Sequence, residues 1–267
     1  MSDLWAAVRA GEILRGEVVI DCHTHMGPWF NFSIPKDPWA EGMITAMDTC
    51  GIQTVLCSPH VGLVTDYQWG NRIIAHIVNR YPDRFAGYCA VNPNYPVAEI
   101  EAELERYLVN GPLRGIKIHP STHQYPADGP NYRPVWAFAN EYRLPVLVHT
   151  WESAYECNPL MFVSIGKAFP HVPILLGHSG GPAKGMDQAV EAAAQWEHLY
   201  LDLTGSMLPR GMLEVLVQRV GADRVLFGTD IPFVDCRSKL GYVAFARIPD
   251  EDKRKILGLN TKRLFGL

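Results

Sequence analysis

His23 and His25 stand one residue apart at the end of the run Val18-Val19-Ile20-Asp21-Cys22-His23-Thr24-His25-Met26-Gly27. Three β-branched residues lead into the pair and Gly27-Pro28 follows, which predicts a buried strand that ends in a turn. Side chains alternate along a strand, so the two imidazoles share one face while Cys22 and Thr24 point the other way. Two imidazoles on one face can hold one cation. The chain also offers His149, His178 and Asp230, each at the C-terminal end of its own apolar run.

The elements that must position these residues recur in order. Strands are expected at Val18, Thr54–His60, Phe85–Val91, Arg114–Pro120, Pro145–Thr150, Pro173–His178, Leu199–Leu203 and Arg224–Asp230, with helical segments such as Trp39–Cys50, Val97–Val109 and Tyr132–Tyr142 between them. A strand start every roughly thirty residues is the length of one strand-helix unit. Eight such units predict an α/β fold, a closed (β/α)8 TIM barrel of parallel strands over residues 1–267 as a single domain. The open doubly wound sheet is the competing arrangement, but a barrel brings the ends of strands one, five, six and eight to a single mouth.

Composition narrows the partners. A chain of 267 residues with 48% hydrophobic content has enough apolar surface for a large core, and no composition shift divides it. A net charge of -4 without any Lys/Arg block argues against nucleic acid or an anionic membrane. A small-molecule substrate is therefore expected, with a homo-oligomer left open. The opening residues lack a signal-peptide pattern, no apolar stretch is long enough to span a bilayer, and the six scattered cysteines fit reduced thiols, so a cytoplasmic location is expected.

Five segments in this order carry a resemblance: His23-Thr24-His25, Gly115-Ile116-Lys117-Ile118-His119-Pro120, Val148-His149-Thr150, Gly177-His178-Ser179-Gly180-Gly181 and Leu226-Phe227-Gly228-Thr229-Asp230-Ile231-Pro232. Together they resemble the metal-dependent amidohydrolase superfamily, most closely the branch that contains hydrolases and non-oxidative decarboxylases. The resemblance implies His23, His25, His149 and Asp230 as ligands of a divalent metal. It implies His178 as an acid/base or polarising group, or as a ligand of a second metal where Lys117 is carboxylated; a single metal beside a free lysine is the preferred reading. Imidazoles and a carboxylate suit zinc first, with manganese or iron as the other options, and leave a position for water. Binding lowers that water's pKa from 15.7 to about 7, and Asp230 can take its proton as it attacks a carbonyl. The superfamily's deaminases use a glutamate near strand five or six, whereas here strand six ends in His178-Ser179-Gly180-Gly181.

The leading expectation is thus a metal-dependent hydrolase of a small amide, ester or lactone, with Asp230 and His178 as its catalytic residues. A decarboxylase or hydratase of a small carboxylic acid is the alternative, and a non-catalytic barrel that binds metal and ligand is the third. Lys117 and His119 share an inward strand face and would meet substrate. The aromatic loop Trp29-Phe30-Asn31-Phe32 would wall the pocket, with Trp29 in contact with substrate. Asp21 is either an acceptor for the ligand histidines or a structural carboxylate. His60 and His123 read as structural histidines, and the segment from His119 to Pro130 as part of a lid in which Pro120 opposes a helical histidine pair.

Overall fold

The computed structural model describes residues 3–31, 33–34, 36–205 and 208–267, so Phe32 of the aromatic loop lies outside the described residues. Among them, eight strands form one sheet in chain order: β1 (Ile20–Met26), β2 (Thr54–Pro59), β3 (Phe85–Ala90), β4 (Gly115–Ile118), β5 (Val146–His149), β6 (Ile174–Gly177), β7 (Leu199–Asp202) and β8 (Val225–Leu226). Every neighbouring pair from β1 to β8 is parallel. The seam closes through backbone bonds: Cys22 N donates to Phe227 O at 2.9 Å, Asp230 N to His23 O at 3.0 Å and His25 N to Ile231 O at 2.8 Å. The protein is a (β/α)8 barrel, as its repeating strand-helix units predict.

Strand alternation divides the core. Val55, Cys57, Ile116, Ile118, Val146, Val148, Ile174 and Leu176 face out and pack with the apolar faces of the surrounding helices. Leu56, Tyr88, Leu147, Leu175, Tyr200 and Leu226 face in and fill the barrel, joined by Phe265 from the C-terminal helix Asn260–Phe265. Lys117 takes the inward position of β4 between Ile116 and Ile118 and is completely buried.

β1 breaks the simple alternation. Asp21 pairs with Val55 but Thr24 pairs with Cys57, so two residues of β1 oppose one of β2 in a β-bulge. Cys22 packs inside the barrel with Ile20 and Leu56, while Met26 joins the outer core and the Thr24 hydroxyl donates to Leu56 O at 3.0 Å. The expected outward aim of Cys22 is therefore corrected: the bulge lets Cys22, His23 and His25 all face inward.

Other boundaries move for local reasons. β8 is two residues long rather than seven, because the chain after Leu226 turns its backbone bonds to β1 at the seam. The helix expected from Tyr132 runs from Arg133 to Tyr142, entered through one 3-10 turn at Pro130–Tyr132. Pro120 begins a short helix, Pro120–His123, instead of preventing one, since proline at the first helical position loses no intrahelical bond. His123 meets Tyr132 Oη at 3.1 Å and Leu63 O at 2.9 Å, which accounts for it as a structural residue. Among the described residues no helix is long and apolar enough to cross a membrane.

Candidate functional site

The C-terminal ends of the strands gather the polar residues of the interior. His23 Nδ1 lies 2.5 Å from Asp202 Oδ2. A carboxylate only accepts, so Nδ1 carries the proton and the lone pair is left on Nε2. His25 Nδ1 lies 3.1 Å from Ser58 O and by the same logic presents a bare Nε2. Burial, then the nearby cations and rings, holds both imidazoles well below their ordinary pKa, so both are neutral and able to ligate.

Asp230 completes the group. Its Oδ1 is 3.4 Å from His25 Nε2, and the ligand atoms of His23, His25 and Asp230 all lie within 4.8 Å of one another. Among the described residues Asp230 Oδ1 is a buried oxygen without a hydrogen-bond donor. Two electron-rich atoms facing each other at this distance, both buried, repel unless a cation or proton lies between them. The donor set therefore fits a divalent metal.

The backbone that aims Asp230 is held on both sides. Asp21 accepts from Thr229 N at 3.1 Å, from the Thr229 hydroxyl and from His23 N at 3.0 Å, while Thr229 Oγ1 accepts from Ile231 N at 3.1 Å. Asp21 is thus the brace between β1 and the loop after β8. This grip sustains a left-handed backbone at Asp230, with φ 69°, and His178 at the end of β6 has φ 61°. Such conformations cost free energy in a non-glycine residue and persist where surrounding contacts fix them. At Gly228 a Cβ would collide with Thr204 Oγ1 and Asp202 Oδ1, so close approach of β7 and β8 behind His23 requires glycine.

His149 and His178 stand outside the 4.8 Å group formed by His23, His25 and Asp230. Their rings are 4.6 Å apart, and His178 is 5.0 Å from His23. His119 stacks on His149 at 4.0 Å and 13°. Lys117 Nζ lies 3.0 Å from His23 Nε2, the bare nitrogen of that ring. Burial pushes Lys117 down to about 8 against the pull of Asp230 and Asp202, and pushes Asp230 up to about 7 against the pull of Lys117. A cavity of about 460 Å³ opens beside Asp230 and His178, walled by Trp151, Met186, Leu208 and Phe233. A larger groove of about 1060 Å³ lies against Trp5, Arg237 and Phe245, but none of the ligand histidines lines it. Trp29 packs on His60 at 4.8 Å and Phe233 at 5.2 Å, on the side of the mouth next to His25.

One residue of the site lay outside the sequence expectations. Asp202 is fully buried and bonded to His23, with Thr204 N at 2.8 Å on its other oxygen. The available signal was the one used for Asp230, a carboxylate at the end of an apolar strand. His60, read as structural, bonds Gly27 O through Nδ1 at 2.7 Å and stacks on His25 at 4.9 Å.

A parallel eight-stranded barrel with a His-His-Asp donor set at its C-terminal mouth defines a metal-dependent enzyme class, and the comparisons place the chain within it. The amidohydrolase family model matches residues 20–267, so the chain belongs to that family. It is similar to the gamma-resorcylate decarboxylase of Rhizobium radiobacter, 24% identical over 328 aligned positions that cover 95% of this chain and 99% of the relative. Among solved structures it is similar to 5-carboxyvanillate decarboxylase from Novosphingobium aromaticivorans DSM 12444, complexed with manganese and 4-hydroxy-3-methoxy-5-nitrobenzoic acid (TM-score 0.74, 17% identity, 95% of this chain and 97% of that one). It is also similar to dihydroxybenzoic acid decarboxylase from Polaromonas sp. JS666 with bound manganese and the inhibitor 2-nitroresorcinol (TM-score 0.72, 19% identity, 94% and 97%). These likenesses overturn the hydrolase expectation, since the relatives are decarboxylases of aromatic acids. The physical reason for the error is plain: the same imidazoles and carboxylate serve either reaction, and the choice rests with what the pocket holds beside them.

Proposed function

We propose that the protein is a metal-dependent, non-oxidative decarboxylase of a small hydroxylated aromatic acid. The observation that carries this reading is the convergence of His23, His25 and Asp230 in a chain whose relatives are named for that reaction. His23, His25 and Asp230 would hold the metal. The manganese in the two related structures favours manganese over zinc, which was expected first. When bound, the cation supplies positive charge beside the substrate's oxygen atoms. Six buried cysteines that form no disulfide support a cytoplasmic setting.

The chain's own groups divide the remaining work. Lys117, a buried cation beside His23, draws the substrate carboxylate to the metal-binding group. Trp151 and Phe233 wall the ring of the substrate and exclude water from the reacting carbon. Decarboxylation breaks the bond between the ring and the carboxyl carbon, leaves the electron pair on the ring carbon, and releases carbon dioxide. A proton must replace it there. Asp230 and His178 both face this cavity, and a carboxyl or an imidazole there is the group placed to deliver it. The test is manganese-loaded protein with carboxyl-labelled 2,6-dihydroxybenzoate in deuterated water. Labelled carbon dioxide with one deuteron on the ring product is expected; full metal loading with no carbon dioxide from any hydroxybenzoate would sink the reading.

A further inference from the structure

Cys50 ends the helix Ala40–Cys50, and Cys236 begins the helix Cys236–Ala244 that follows the loop after β8. Both side chains are buried, 1% and 2% exposed, and their sulfurs stand 3.2 Å apart across 186 positions of chain. A cavity reaches the pair. It has a volume of about 330 Å³ and is lined by Cys236, by Ala46 and Thr49 of the Cys50 helix, and by Phe233 and Val234. The last two also wall the cavity beside Asp230, so one loop forms a side of both spaces.

The two thiols are not equivalent. Cys236 has Cys50 Sγ at 3.2 Å and Ala46 O at 3.5 Å within reach of its S–H, while Cys50 has the Thr49 hydroxyl at 3.8 Å. The hydrogen bond from Cys236 brings Cys50 down to about 7 although burial opposes it. Burial instead pushes the Cys57 thiol up to about 12 and the Cys157 thiol up to about 11. Cys50 and Cys236 thus combine a thiolate accessible near neutral pH with a second thiol in contact.

We propose that Cys50 and Cys236 are a site of reversible oxidation, forming a disulfide with hydrogen peroxide that locks the loop between Asp230 and Cys236 against the helix Ala40–Cys50. A thiolate attacks one peroxide oxygen and hydroxide leaves, which gives a sulfenic acid. The second sulfur then attacks the sulfenic sulfur, the S–S bond forms, and the sulfenic oxygen leaves as water. The two thiols lose two electrons and two protons, and the peroxide becomes two water molecules. To bond, the sulfurs close from 3.2 Å to about 2.05 Å. Phe233 N and Val234 N donate to Asp230 O at 2.8 and 3.3 Å, and this turn is what the new bond restrains. The inference is independent of the reaction proposed above.

The experiment treats the manganese-loaded full chain with excess hydrogen peroxide, counts free thiols, maps linked peptides by mass without reduction, and follows amide hydrogen exchange. The wild type is expected to lose two of its six free thiols, to yield one linked pair of peptides carrying Cys50 and Cys236, and to regain both thiols with dithiothreitol. Exchange at Phe233 and Val234 should slow about tenfold or more in the oxidised form. Cys50→Ser and Cys236→Ser should show neither the disulfide nor the slowing. Oxidised wild type compared with the same sample after dithiothreitol needs no variant, so the test survives misfolding of either. Six free thiols after treatment, a linked pair other than Cys50 with Cys236, oxidation of these two to sulfinic acid without a disulfide, or unchanged exchange in the cross-linked chain would overturn the proposal.

Discussion

Asp202, at the end of β7, meets the Nδ1 edge of His23 at 2.5 Å across the segment that follows β8, and this bond decides which nitrogen of the ring is available. Asp202 is fixed in turn by Thr204 N at 2.8 Å and by the Thr204 hydroxyl at 2.5 Å. Asp202→Asn can turn an N–H toward Nδ1 and move the ring proton to Nε2, where it blocks ligation. Manganese affinity should fall about 10–100-fold with little change in fold. Metal titration of the variant checks this, and wild-type affinity would separate Asp202 from the metal centre.

The bulge in β1 explains how much of this could be read from the sequence. The eight apolar runs and their spacing follow from strand and helix periodicity, and the residues at their C-terminal ends follow from the barrel. Cys22 was misplaced because one inserted residue shifts the alternation, and a bulge leaves no mark on the pattern Val-Val-Ile-Asp-Cys-His-Thr-His. Asp202 was overlooked because a carboxylate at a strand end has many structural uses; only the contact with His23 across 179 positions gives it one here. The choice of reaction was illegible for a different reason, as it depends on loop residues such as Phe233 that have no periodicity to follow.

His149 was expected to ligate the metal, yet its ring stacks on His119 at 4.0 Å and stands outside the group of three donors. We expect His149→Ala to retain at least about half of the bound manganese while His23→Ala retains almost none, since loss of one of three gathered donors is the larger defect. Elemental analysis of both variants after gel filtration decides it. Equal loss from both would make His149 a full fourth ligand.

Asp230 makes the metal-free protein sensitive to pH in a stated direction. Its carboxyl sits at about 7 when folded, against 3.8 as the ordinary value, so between these values the folded chain binds more protons than the unfolded one. Stability from this group therefore falls as pH rises from about 4 to 7 and stays lost above. Asn cannot ionise and avoids that loss. Metal-free Asp230→Asn should melt above metal-free wild type by roughly 4 °C or more at pH 8, with the gap closing by about pH 5. A gap that is absent at pH 8, or wider at pH 5, would refute the burial argument.

Lys117 poses the sharpest conflict in the site, because its Nζ lies 3.0 Å from the nitrogen of His23 that a metal needs. A cation at that position opposes a second cation, and burial has already brought the ammonium down to about 8. Lys117→Met keeps the apolar stem as far as Cε while removing the charge, so it should bind manganese at least as tightly as the wild type. The substrate carboxylate loses its partner in the same variant. The value of kcat/KM per bound metal should drop about 100-fold or more, mostly through a higher KM for the acid, because the lost contact is made to the ground state. Steady-state kinetics at matched metal occupancy measures both effects. If Lys117→Met instead loses its metal, and the wild-type chain carries two metals with a carboxylated Lys117 by intact mass, then Lys117 belongs to the metal and not to the substrate.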